Sequence, residues 1–221
     1  MPSLRQLHAR CPRLLILDAA SLVVQVGWLE IGRTPAWVAL EEEAGSGLFR
    51  ALDELGKRPR DADAFGFCEG PGSILGIRSA AVALTTWQAL RERPSFAYRS
   101  LELLGATIAP PGATLIADAR RQTWHALTLD ASGHPGDLHR CATADLPERL
   151  VMPAKFRTWT ALPDRPIMRL PYDVAQLWAH PAAAEADLWR QTDQPDAFLH
   201  EEPSYVTWTP GIHRAPDIPS P

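Results

Sequence analysis

The chain has 221 residues, 46% of them hydrophobic and 22% charged, with a formal net charge of −4. That length and composition support a globular protein with one large domain or two small ones around a sizeable core. The mild acidity argues against a broad basic surface that grips RNA unaided, and no apolar run approaches the length of a membrane span.

Arg5, Arg10 and Arg13 precede the apolar run 14–17, which Asp18 ends after four residues, too short for a signal peptide. Residues 13–19 read as a first strand, apolar enough to be buried on both faces. Residues 21–30 read as its hairpin partner and 35–40 as a third strand. Residues 44–57 read as an amphipathic helix with Ala44, Leu48, Ala51, Leu52 and Leu55 on one face, its first turn weakened by Gly45 and Gly47.

A short strand over 64–68 then breaks at Gly70-Pro71-Gly72-Ser73, and a long helix runs from Gly76 through 77–90. A Gly-rich loop between a strand and a helix N-terminus presents backbone N–H groups and the positive end of a dipole, which suits an anion such as phosphate. Arg78 in the first turn adds a charged donor. The loop matches neither the Walker sequence nor the dinucleotide fingerprint, and a tight turn without ligand has the same composition. On the helix, Ile77, Ala80, Ala81, Leu84 and Trp87 form a sheet-facing side. The other side holds Ser79, Val82, Thr85, Thr86 and Ala89, small and uncharged. A solvated face is normally charged, so this side is expected to be covered by a partner, with Phe49 and Leu52 of the preceding helix contributing.

Residues 95–99 read as a strand, with Ser100 as N-cap of a helix to Thr107. Pro110-Pro111-Gly112 is the clearest break, and Asp118-Ala119-Arg120-Arg121 joins a strand pair over 113–117 and 122–129, repeating the opening of the chain. A short helix over 142–149, capped by Cys141 or Thr143, a strand over 155–160, helix fragments over 173–180 and 184–190 separated by Pro181, and a strand over 202–209 complete the reading. Twelve of the 21 prolines fall from Pro147 onward, which shortens these elements, and 207–221 reads as a loose tail. Cys11, Cys68 and Cys141 are odd in number and widely spaced, so a disulfide framework or zinc knuckle is not expected and a reducing, cytoplasmic setting fits. The eight tryptophans are scattered, without the interleaved basic residues of a base-stacking platform.

The run Gly70-Pro71-Gly72-Ser73-Ile74-Leu75-Gly76-Ile77-Arg78 resembles the Gly-Pro-Gly-Ser-Phe-Thr-Gly-Leu/Val-Arg signature of the bacterial TsaB (YeaZ) family. Four further matches follow in order: Leu14-Leu15-Ile16-Leu17-Asp18, Ser100-Leu101-Glu102, Ala117-Asp118-Ala119-Arg120-Arg121, and Glu202-Pro203-Ser204-Tyr205. The resemblance implies an α/β chain with the actin-like (sugar kinase, Hsp70 and RNase H-like) fold, in two related subdomains at 13–109 and 110–206. It implies a non-catalytic subunit that pairs with a catalytic TsaD-type paralogue in transferring threonylcarbamoyl to adenosine in tRNA. A TsaE-type ATPase is a further implied partner, tRNA is reached only through the complex, and a homodimer forms when the chain is alone. It places Asp18, Gly70, Pro71, Gly72, Ser73, Gly76, Arg78, Asp118 and Arg120 at a vestigial phosphate site, with any nucleotide confined to the partner interface and no cofactor or metal of its own.

Departures from the family pattern point to further reduction. The His of the usual His-Ser pair is absent at Ala44-Gly45-Ser46, Leu75 replaces a Thr, and Trp159-Thr160-Ala161-Leu162-Pro163 lacks the glycines of an adenosine turn. His134 and His139 lie five apart, off any shared helical face. Two other classes stay open: a phosphate or nucleotide sensor of the same fold, and an enzyme of kinase or glycoprotease-like metallopeptidase type. The enzyme class lacks a His-x-x-x-His or a nucleophile with a base in sequence.

Overall fold

The computed structural model of the chain describes residues 1–198. The strand expected over 202–209, the Pro203-x-Tyr205 match and the tail 207–221 lie outside the described residues.

A first helix, α1 (Leu4–Arg10), precedes everything the sequence pattern suggested. Its start is set by a capping box: Ser3 Oγ accepts from Gln6 N, and Gln6 Oε1 accepts from Ser3 N. There follow β1 (Arg13–Asp18), β2 (Val24–Glu30), β3 (Ala36–Leu40), α2 (Ala44–Leu55), β4 (Ala64–Gly70), α3 (Ile74–Leu90), β5 (Ser95–Arg99) and α4 (Ser100–Gly105). The second run is β6 (Thr114–Asp118), β7 (Thr123–Thr128), β8 (His139–Ala142), β9 (Leu150–Pro153), β10 (Ile167–Leu170), α5 (Val174–Ala179), α6 (Pro181–Glu185) and β11 (Arg190–Thr192).

The two sheets share one plan. In the first, the order is β3-β2-β1-β4-β5-β11, with an antiparallel meander β1-β2-β3, with β4 and β5 parallel to β1, and with β11 antiparallel at the edge. In the second, the order is β8-β7-β6-β9-β10, again a meander followed by two parallel strands. The crossovers differ. α2 and α3 link the strands of the first sheet, whereas a single 3₁₀ turn (Thr143–Asp145) and the irregular loop 154–166 stand in their places in the second.

Alternation along β1 sends its side chains to two cores. Leu15 and Leu17 pack with Leu48, Leu52, Ala80 and Leu84 beneath α2 and α3. Leu14 and Ile16 face Tyr98, Leu101, Trp178 and Trp189, and this cluster runs on into Leu115, Leu127 and Val151 of the second sheet. Trp178 and Trp189 stack at 4.7 Å, with Tyr98 edge-on to both at 5.1 Å, so most tryptophans serve packing.

Several local expectations are corrected. No helix covers 142–149, because Pro147 cannot continue the 3₁₀ turn and Leu150–Pro153 enters the sheet between β6 and β10. Residues 155–160 are not a strand: Lys155 has φ 60°, and Asp118 takes the N–H groups of Trp159 and Thr160 that a ladder would need. Pro181 opens α6 instead of separating helices, since its fixed φ and missing N–H suit a first turn. The chain after Glu185 is not helical; Arg190–Thr192 returns as an antiparallel edge strand on β5. α3 begins at Ile74, earlier than Gly76, because Ser73 caps it by accepting from Gly76 N. Ser100 lies inside α4, and its hydroxyl donates to Pro71 O at 2.6 Å.

Candidate functional site

The Gly loop sits between β4 and α3, as its composition requires, and is closed by the chain's own backbone. Ser73 N donates to Ala20 O at 2.8 Å, and Ser73 Oγ is engaged by Gly76 N. A β-carbon on Gly72 would overlap the carbonyl oxygen of Ala20, and one on Gly76 that of Ala19. The glycines therefore let the β1–β2 turn pack directly against the loop. Pro71 is buried, Gly70 ends β4, and Arg78 at the loop's outer edge pairs with Asp196 at 3.5 Å.

Asp18, expected beside the phosphates, is fully buried. Its carboxylate accepts from Tyr98 Oη at 2.6 Å, Tyr172 Oη at 2.8 Å and Ala20 N at 3.0 Å. Burial pushes its pKa above the ordinary carboxylate value, against the opposing hydrogen bonds from Tyr98, Ala20 and Tyr172. Cys68 lies 3.8 Å from the Tyr172 hydroxyl. Gln25 clamps the same segment, donating to Tyr172 O at 3.1 Å and accepting from Val174 N at 2.8 Å. The two tyrosines escaped sequence reading; their only signal was a phenol in otherwise apolar surroundings.

The carboxyl ends of β4 and β5, where open α/β sheets hold ligands, are also covered. Arg99 pairs with Glu69 at 2.9 Å and Glu102 at 3.3 Å, and Arg190 of β11 donates to Glu102 at 2.5 Å. The Arg99 guanidinium lies 3.9 Å from the Phe198 ring centroid.

Asp118 occupies the position in the second sheet that Asp18 holds in the first, but in an open setting. It accepts from Arg120 N at 2.5 Å, Thr160 N at 2.8 Å, Thr160 Oγ1 at 3.0 Å and Trp159 N. Partial burial raises its pKa, yet the N–H groups of Trp159, Thr160 and Arg120 outweigh that and hold the carboxyl below its ordinary value. Arg120 points its guanidinium over the Trp159 ring, 5.0 Å from the centroid.

The outer face of α3 is uncovered along much of its length. Val82 is 65% exposed, Thr85, Thr86 and Ala89 are exposed, and Ser79 is half-buried. Phe49 of α2, 52% exposed, meets Trp87 edge-on at 6.5 Å and extends this face. Leu52 does not belong to it: it is buried with Leu48 and Ala51 under α2, because the helical repeat turns it inward. The hydroxyls of Ser79, Thr85 and Thr86 donate to the carbonyls of Leu75, Ala81 and Val82, which leaves the face with little polar demand. A groove of ≈ 610 Å³ follows it, bounded by Arg78, Val82, Thr86, Pro195 and Asp196.

Among the described residues, no group of three His, Cys, Asp or Glu is placed to hold a metal ion. No helix among them is long and apolar enough to cross a membrane.

No family model and no curated protein matches the chain at the level of sequence. Solved structures do. YeaZ from Pseudomonas aeruginosa superposes with a TM-score of 0.54 at 19% identity, over 76% of this chain and 89% of that one. The fold is the one seen in YeaZ. A second structure from the same organism, of an uncharacterized protein similar to the peptidase YeaZ, gives a TM-score of 0.51 at 19% identity, over 76% and 88%. With two mixed sheets of one strand plan and flanking helices, the chain has the actin-like, RNase H-like architecture.

Proposed function

We propose that this chain is a non-catalytic subunit that supports the transfer of threonylcarbamoyl to adenosine in tRNA by binding a catalytic TsaD-type paralogue, and that it self-associates when alone. The observation that carries the reading is the uncharged outer face of α3 with Phe49 beside it: exposed, hydroxyl-quiet and shaped for the close approach of another helix pair. The YeaZ-like fold and the ordered motif matches agree with it. A sensor of free phosphate is disfavoured because Ser73 N, a donor such a loop would offer, is already taken by Ala20 O.

Phe49→Glu combined with Val82→Glu tests this. Both sites are exposed, so the variant is expected to stay folded and monomeric by circular dichroism and sedimentation. Each carboxylate would be desolvated without a partner in the complex, at a cost of roughly 3–5 kcal/mol. Calorimetric titration with the paralogue from the same cell should show binding weakened at least a hundredfold. Native affinity in the variant would refute the proposed contact.

A further inference from the structure

We propose that the rim built from the β6–β7 turn and the loop after β9 is a contact for single-stranded nucleic acid, with Trp159 as the stacking platform and Arg120, Arg121 and Arg157 as phosphate ligands. Trp159 is the one exposed tryptophan among the described residues, at 65%. Arg120 lies over its ring, Arg121 follows Arg120 in the same turn and Arg157 stands two residues before Trp159 in its loop; all three are exposed, and none has a carboxylate partner among the described residues. Nearby Lys155 is not part of this set, since Glu41 neutralises it at 2.8 Å. The two loops that carry these residues are tied together by Asp118, which accepts from Arg120 N in one and from Trp159 N and Thr160 N in the other.

The backbone geometry is costly and is held in place. Arg120, Arg121 and Gln122 have φ of 62°, 51° and 61°, three successive side-chain-bearing residues in the left-handed region. The turn after Asp18 in the first sheet, residues 19–23, has no residue of positive φ, and its Ala19 and Ala20 are buried. An exposed indole face with guanidinium groups is the combination that binds unpaired bases and their phosphates. An acidic protein surface would engage the arginines and leave the indole unused. On a chain of net charge −4 the cluster is a local site, so binding is expected to be modest and salt-sensitive.

The test is fluorescence anisotropy of the full chain with a labelled, non-self-complementary RNA of about 12 nucleotides, within the span a stacking groove covers, and with its duplex. The single strand is expected to bind more tightly than the duplex. Trp159→Ala should weaken it about tenfold, and Trp159→Phe should retain most of the affinity. Arg121→Ala and Arg157→Ala should each lower the slope of log affinity against log salt by about 0.7. The Phe49→Glu, Val82→Glu variant should bind the RNA as the native chain does, which separates this site from the partner contact. No binding at low salt, equal binding of duplex and single strand, displacement by polyglutamate as effective as by unlabelled RNA, or indifference to Trp159→Ala and Arg157→Ala would each overturn the proposal.

Discussion

The two sheets answer the same design problem in opposite ways. Each begins with a meander, and each ends its first strand in an aspartate, Asp18 or Asp118. Around Asp18, on the sheet face opposite α2 and α3, two tyrosine hydroxyls and the Ala20 N–H close in beside Cys68, and the carboxylate is sealed in. Around Asp118 no helix forms in the crossovers, and the carboxylate instead organises two exposed loops. The lesson is that a strand-end carboxylate in this architecture takes its role from the side chains that pack over it. Covered, it is a structural post; uncovered, it is a clamp for a surface.

The contrast can be broken most sharply at the glycines. Gly76→Ala would drive a β-carbon into the Ala19 carbonyl, where neither backbone can retreat, and should cost roughly 4 kcal/mol or more. Leu162→Ala, in the second sheet's counterpart loop and exposed, should change stability by no more than about 0.5 kcal/mol. Denaturant titration of the two variants measures the difference, and comparable losses would show the loops to be equally constrained.

The aspartates give the next largest effect. Asp18→Ala leaves two buried phenol hydroxyls without their acceptor and should cost roughly 2–4 kcal/mol. Asp118→Ala releases donors at the exposed Arg120 and Trp159 as well as at the buried Thr160, and should cost about 1–2 kcal/mol while disordering Trp159. Equal losses in chemical unfolding would contradict the assignment of post and clamp.

The smallest effect is in pH, where the signs differ. Asp18 holds its proton more tightly folded than unfolded, so its contribution is complete below the ordinary carboxylate pKa and is lost as pH rises through the raised value. Asp118 holds its proton less tightly when folded, so its contribution is present above the ordinary pKa and is lost as pH falls through the depressed value. Stability profiles of Asp18→Asn and Asp118→Asn should therefore flatten on opposite sides of that range.

Legibility in the sequence followed the range of the interactions. Residues 14–17 announced a buried strand by composition, and the helical repeat of α2 and α3 placed Leu48, Ala80 and Leu84 inside and Val82 and Thr86 outside. The same repeat puts Leu52 inside with Leu48 and Ala51, so what misled was the expectation that it joins Phe49 on the partner face; one helix carries a core residue and a surface aromatic three positions apart. The proline-rich second half read poorly, because each proline there permits a turn, a helix start or a strand edge, and only neighbours decide which.

By itself, the sequence determined what nearest neighbours along the chain control: the periodicity of the first sheet and its helices, the strand–turn–strand openings at Asp18 and Asp118, and the Gly break before α3. Tertiary structure alone decided that Ala19 and Ala20 pack against the Gly loop, that Tyr98 and Tyr172 close over Asp18, that β11 joins the first sheet, and that Arg120 meets Trp159. Those contacts join residues tens to more than a hundred and fifty positions apart, as Asp18 and Tyr172 are. Their free energy depends on burial and on which donor finds which acceptor, and neither is set until the sheets have assembled.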